Sequence, residues 1–234
     1  MHKSLLLFLS LLWTSYLQAH DENLVACIDD HPPYQYLSDK PYGTHISALE
    51  TLSKVLDKHL KFEQSPNFAR CILMLKKGDV DVVAGLNPTE ERSEFAFYAP
   101  FKSADTMKVV SKKGISINTY SDFKDKIIGV ARGTLYFPRF DNDNSLKKIA
   151  IQSSRIGFSL LLKDRIDLIM ISPAMLATLT EEINNADLKV SPIALEELRN
   201  KKTFFGFSKR NKINLKHRDL INKVTTAYQQ GIFK

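Results

Sequence analysis

The sequence predicts an α/β fold of two lobes, each a mostly parallel sheet flanked by helices. Two observations carry this reading. Short β-branched runs at 24–28, 80–84, 127–131 and 166–171 alternate with amphipathic helical spacing, which calls for crossover connections and a parallel sheet. The stretch LKKGDVDVV (75–83) also returns as LLKDRIDLI (161–169), aligning Asp81 with Asp167, as two copies of one helix-turn-strand plan would.

Taken in order, 24–28 reads as a strand that Asp30-His31-Pro32-Pro33 breaks into a loop. Ile46, Leu49, Leu52, Leu56 and Leu60 recur at three- and four-residue steps and predict a helix with one buried face. A short strand at 61–63 follows, and Pro66-Asn67 opens a helix with Phe68, Cys71, Ile72 and Leu75 on its apolar side. Gly78 stands where a helix end needs a left-handed residue. The second half repeats the plan: strand 127–131, turn Arg132-Gly133-Thr134, a helix through 158–162 ending near Asp164, and strand 166–171. A strand at 203–208 and a helix on Leu220, Val224 and Tyr228 close the chain. The expected division is 20–104 with 203–234 for the first lobe and 105–202 for the second.

Ahead of this stands MHKSLLLFLSLLWTSYLQA, with Lys3, a short apolar run and a small residue at Ala19, the layout of a secretory signal peptide at 1–19. The apolar run is shorter than the roughly 20 residues a membrane span needs. Leu24-Val25-Ala26-Cys27 superficially resembles a lipoprotein box, but polar residues 20–23 separate it from the apolar run. An exported chain permits Cys27 and Cys71 to pair, which would stabilise the fold by about 4 kcal/mol; two buried thiols are the alternative. The formal charge is +7, spread along the chain without a basic stripe interleaved with aromatics, so nucleic acid is not expected as a partner. No metal-ligand spacing, P-loop, dinucleotide fingerprint or serine-hydrolase motif occurs, and no cofactor is expected.

The informative stretch is Gly85-Leu86-Asn87-Pro88-Thr89-Glu90-Glu91-Arg92, where a strand stops at its carboxyl end and a short helix begins. Gly85 lets a ligand approach the backbone, Asn87 offers donor and acceptor, and Thr89 suits an N-cap. Arg92 can fork onto a carboxylate, or pair on the surface with Glu91 or another acid. In a two-lobed α/β protein, ligands bind outside the strand ends, in the cleft between lobes.

Together PPYQY, GDVDVVAGLNPTEERSEFAFYAPF and YSDFKDKIIGVARGTLY resemble the periplasmic extracellular solute-binding proteins of family 3, over nearly the whole chain after the leader. The resemblance implies the two-lobed type II periplasmic-binding-protein fold and a periplasmic, monomeric receptor that serves an ABC permease. It implies that Arg92 clamps a ligand carboxylate with help at Gly85 and Asn87. It implies further that Gly133 and Thr134 present helix N-terminal N–H groups, and that Tyr34, or else His31 or Tyr36, covers the ligand. Two positions depart from the pattern. Ser172 stands where an ammonium-binding aspartate is usual, and Leu135 where a second hydroxyl is common. Asp30 is a candidate for the missing charge or a turn former before Pro32-Pro33. The expected function is uptake of a small carboxylate-bearing solute, an amino acid or related compound, without catalysis. An exported sensory domain and a cyclohexadienyl-dehydratase-like enzyme are the alternatives.

Overall fold

The structure is a computed structural model and describes residues 22–191 and 202–233; the expected leader lies outside them. The first sheet is built from β1 (Asn23–Asp29), β2 (His59–Ser65), β3 (Val82–Ala84), β4 (Ala96–Ser103) and β10 (Lys202–Ser208), in the order β2-β1-β3-β10-β4. The second holds β5 (Lys108–Ser111), β6 (Ile127–Ala131), β7 (Lys147–Ile151), β8 (Leu168–Ile171) and β9 (Lys189–Ser191), in the order β7-β6-β8-β5-β9. The two orders share one plan. Three strands pair in parallel in each sheet, and the strands next to the lobe crossings pair antiparallel.

Side-chain alternation along β1 sets two cores at once. Leu24, Ala26 and Ile28 pack with α1 (Thr44–Leu56) and α8 (His217–Gln229), where Leu49, Leu52, Leu220 and Val224 are fully buried. Cys27 turns to the other face and meets α2 (Phe68–Lys77), where its sulfur is bonded to that of Cys71 across a sequence separation of 44. A Cys27 held in a disulfide inside a strand is no lipid-attachment site. The second sheet is covered likewise. Phe123, Tyr136, Phe137 and Phe140 lie on one face, and on the other lie α5 (Ser154–Leu162), α6 (Pro173–Thr178) and α7 (Thr180–Asn185).

The repeated aspartate has a repeated task. Asp81 Oδ2 accepts the Val25 N–H at 2.9 Å, and Asp167 Oδ2 accepts the Ile127 N–H at 2.7 Å. In each lobe a carboxylate just before the third strand pins the start of the first.

Two expectations are corrected. Leu60 does not continue α1, because Asp57 takes a left-handed φ of 55° and ends the helix, leaving Leu60 in β2. Tyr228 is half-buried on α8, and Ala227 takes the core position beside Leu220 and Val224.

Candidate functional site

A cavity of about 700 Å³ lies between the sheets, and the turn after β3 forms much of its wall. Gly85 has φ 85°, and a Cβ there would sit 3.0 Å from His45 Cε1. The Gly85 and Leu86 N–H groups both donate to the Phe204 carbonyl, closing the ladder as the chain leaves the sheet. Thr89 then caps α3 (Glu90–Ser93), its Oγ1 accepting the Arg92 N–H at 3.1 Å. That single turn folds Arg92 back toward the cavity, leaving it 8% exposed.

The guanidinium spans the lobes. Nη1 donates to the Asn87 carbonyl at 3.0 Å and Nη2 to the Gly133 carbonyl at 2.6 Å. Burial lowers its proton affinity, and the negative ends of Tyr98, Glu91 and Asp141 work against that shift. A guanidinium has five donors, so these bonds leave N–H groups for an anion in the cavity. Asn87 adds a second bridge, Nδ2 donating to the Leu135 carbonyl at 3.2 Å.

Asp29 ends β1 with only 4% exposure. The Gln35 side-chain oxygen accepts its N–H, and among the described residues its Oδ1 has no hydrogen-bond partner. Burial, then the charge of Asp30, pushes its pKa up to about 7 against hydrogen bonds from its own and the Phe68 backbone. His45, also on the cavity lining and in the first turn of α1, lies under the Tyr34 ring at 4.6 Å and edge-on to Phe101. Burial drives the imidazole well below its ordinary pKa, with repulsion from His31 and Lys102 adding to the effect, and Nδ1 likewise has no partner among the described residues. The Tyr34 hydroxyl donates to Asp105, which also receives Lys102 Nζ at 2.9 Å. That contact ties the first loop to the crossing between β4 and β5.

Seven of the expected ligand residues line this cavity: Arg92, Asn87, Gly85, Tyr34, Gly133, Thr134 and Ser172. Asp30 does not. It follows buried Asp29, just past the end of β1, and is only half-buried. Tyr36 is also absent from the lining and stacks on Tyr42 instead, whereas His31 is present.

The turn at Gly133-Thr134 does not open a helix. Its Thr134 N–H bonds the Ala131 carbonyl, and α4 (Pro138–Asn142) begins only later, with a proline that has no N–H to offer. Gly133 contributes its carbonyl to Arg92 instead, and at φ 81° a Cβ would lie 2.9 Å from the Ala69 nitrogen of α2. Ser172 spends its Oγ capping α6, accepting the Met175 N–H at 3.1 Å.

Asp29, His45 and Asp141 escaped the sequence reading. Asp29 was legible as the alternate of Asp30, and His45 as a polar residue on the apolar face of α1. Asp141 had no local signal; it is on the cavity lining, and its carboxylate accepts the Tyr136 N–H.

The profile of the bacterial extracellular solute-binding proteins, family 3, matches residues 24–231. The arginine-binding extracellular protein ArtP of Bacillus subtilis is 31% identical over 111 residues, a stretch covering 45% of this chain and 42% of that protein. Among solved structures, the arginine-bound form of truncated ArgBP from T. maritima superposes with a TM-score of 0.71 at 18% identity, covering 89% of this chain and 96% of that one. An ancestral arginine-binding protein bound to arginine gives 0.71 at 22% identity, covering 92% and 96%. These likenesses carry the two-lobed type II fold, and with the profile match they establish that the chain belongs to the bacterial extracellular solute-binding proteins, family 3.

Proposed function

We propose that the protein captures an amino acid or close relative in the cavity between its lobes and delivers it to an ABC permease. Arg92 receives the carboxylate; Asp29, with His45 on the same lining, receives a nitrogen group rich in N–H donors at the other end. The observation that carries this reading is a buried cation and a buried carboxylate oxygen without a hydrogen-bond partner among the described residues, both lining one cavity. The cavity volume suits a small polar ligand. ArtP is named for arginine, which makes arginine the first ligand to test, with Asp29 standing in for the acid that Ser172 does not supply.

The lobes, 20–104 with 203–234 and 105–202, close about two crossings. One is the segment 104–107 between β4 and β5; the other, expected near 198–205, lies partly outside the described residues. Tyr34, Thr134 and Ser172 act as walls that exclude water, and the protein works as a monomer without catalysis.

The test is calorimetric titration with arginine, lysine, histidine, glutamine and glutamate, repeated on Arg92→Ala. Binding of at least one of them, lost in the variant, is the expected result. Wild-type affinity in the variant removes the carboxylate clamp, and release of phenylpyruvate from prephenate by the purified protein would replace the receptor with an enzyme.

A further inference from the structure

The pole of the first lobe that faces away from the cavity carries a concentrated cationic surface. Strands β1, β2 and β3 run parallel with their carboxyl ends toward the cavity, so their starts and the end of α2 lie at the opposite pole. β10 runs antiparallel to β3 and delivers the segment after it to the same place. There Lys209, Arg210, Lys212, Lys216 and Arg218 are exposed, and Lys76 and Lys77 at the end of α2 join them.

Contacts make this one surface. Arg210 Cβ lies 2.8 Å from where a Cβ on Gly78 would stand. The Lys209 N–H donates to the Phe95 carbonyl at 2.8 Å, and Lys76 Nζ sits 5.5 Å above the Phe95 ring. The exposed acids in the same region are Asp79, Glu94 and Asp219. Asp81 is buried and spends both oxygens on backbone N–H groups, those of Val25 and Lys212. Among the described residues, none of the seven cations is held in an ion pair. The neighbouring end of α1 is balanced, with Lys54 and Lys58 against Asp57 and Glu22. Two apolar side chains, Leu73 at 41% exposure and Leu215 at 36%, stand among the cations.

The second observation is where the chain enters the fold. The Asp81 carboxylate holds Val25 at 2.9 Å and Lys212 at 2.8 Å, so the start of β1 is fastened to the cationic segment itself. With this pole set against headgroups, the cleft is turned outward.

We propose that this pole docks reversibly on an anionic phospholipid surface. The charge match is with headgroups such as phosphatidylglycerol, and the two leucines reach the interfacial layer. Each Lys or Arg near an anionic leaflet raises affinity roughly fivefold, and salt screens the effect beyond about 8 Å. The inference does not depend on which solute the cavity takes.

The test uses the full chain purified from an exporting host, with whatever N-terminus processing leaves, in co-sedimentation with vesicles of phosphatidylglycerol and phosphatidylcholine or of phosphatidylcholine alone. Three proteins are compared: wild type, a triple variant Arg210→Glu, Lys212→Glu, Arg218→Glu, and a control of equal charge change on the second lobe, Lys124→Glu, Arg155→Glu, Lys163→Glu. Unchanged melting temperatures show that the variants fold. Wild type and control are expected to bind the anionic vesicles at least about tenfold more than the neutral ones in low salt, with the first triple variant losing that preference. No preference in the wild type, as an acidic protein partner would leave it, overturns the proposal. So does equal loss in the control, which would make the effect one of net charge alone.

Discussion

Arg92 of the first lobe donates its Nη2–H to the carbonyl of Gly133 in the second, at 2.6 Å. The bond to Asn87 lies within the first lobe, so it orients the guanidinium independently of how the lobes sit, and the bond to Gly133 adds a second point where they meet. Preorganisation of that kind lowers the ordering cost of binding.

Arg92→Ala is therefore expected to weaken binding of a carboxylate ligand by at least about 30-fold, since removing one partner of a buried charge pair costs about 2 kcal/mol or more. Arg92→Lys is expected not to restore it, because an ammonium cannot meet two carbonyls and a carboxylate in one plane. Isothermal titration of both variants checks this, and near-wild-type affinity in the lysine variant would show that charge alone suffices.

Asp29 makes pH dependence predictable in sign. Its pKa is raised from 3.8 to about 7, so between these values the folded state keeps a proton that the unfolded chain has released. Stability of the unliganded protein should fall as pH climbs through that window and level off above it, by a few kcal/mol at most. Affinity for a cationic ligand should move the other way, rising through pH 7 as the carboxylate ionises, with a proton released on binding. Asp29→Asn flattens both profiles. Melting curves from pH 4 to 8 and titrations in two buffers of different ionisation enthalpy read them.

Gly85→Ala places a Cβ at φ 85° and 3.0 Å from the His45 ring. The backbone strain alone costs of order 1–3 kcal/mol. A melting point lower by at least about 2 °C is expected, with weaker ligand binding because His45 is displaced into the cavity. An unchanged melting point would mean that the turn relaxes freely.

The bond between Cys27 and Cys71 closes a loop with a sequence separation of 44. Replacing both cysteines by serine should cost about 4 kcal/mol on the chain-entropy account. Denaturant titration measures it, and reductant should shift the wild type in the same direction while leaving the double variant unmoved.

What the sequence determined by itself is everything set by neighbours in the chain. The period of Ile46, Leu49, Leu52 and Leu56 identifies α1. Gly78 and Thr89 mark where α2 stops and where α3 starts, since capping involves only a few adjacent residues. The Asp81 and Asp167 repeat announced two copies of one plan, and GLNPTEER located Arg92 at a strand end. Tertiary structure decided which groups meet across the lobes. That the Gly133 carbonyl meets Arg92 depends on the second lobe lying against the turn after β3. That Asp29, not Asp30, enters the cavity depends on which face of β1 the helices α1 and α8 cover. Local propensity is blind to both, because burial and charge pairing arise from residues that are distant in sequence and become neighbours only when the two sheets are folded and facing each other.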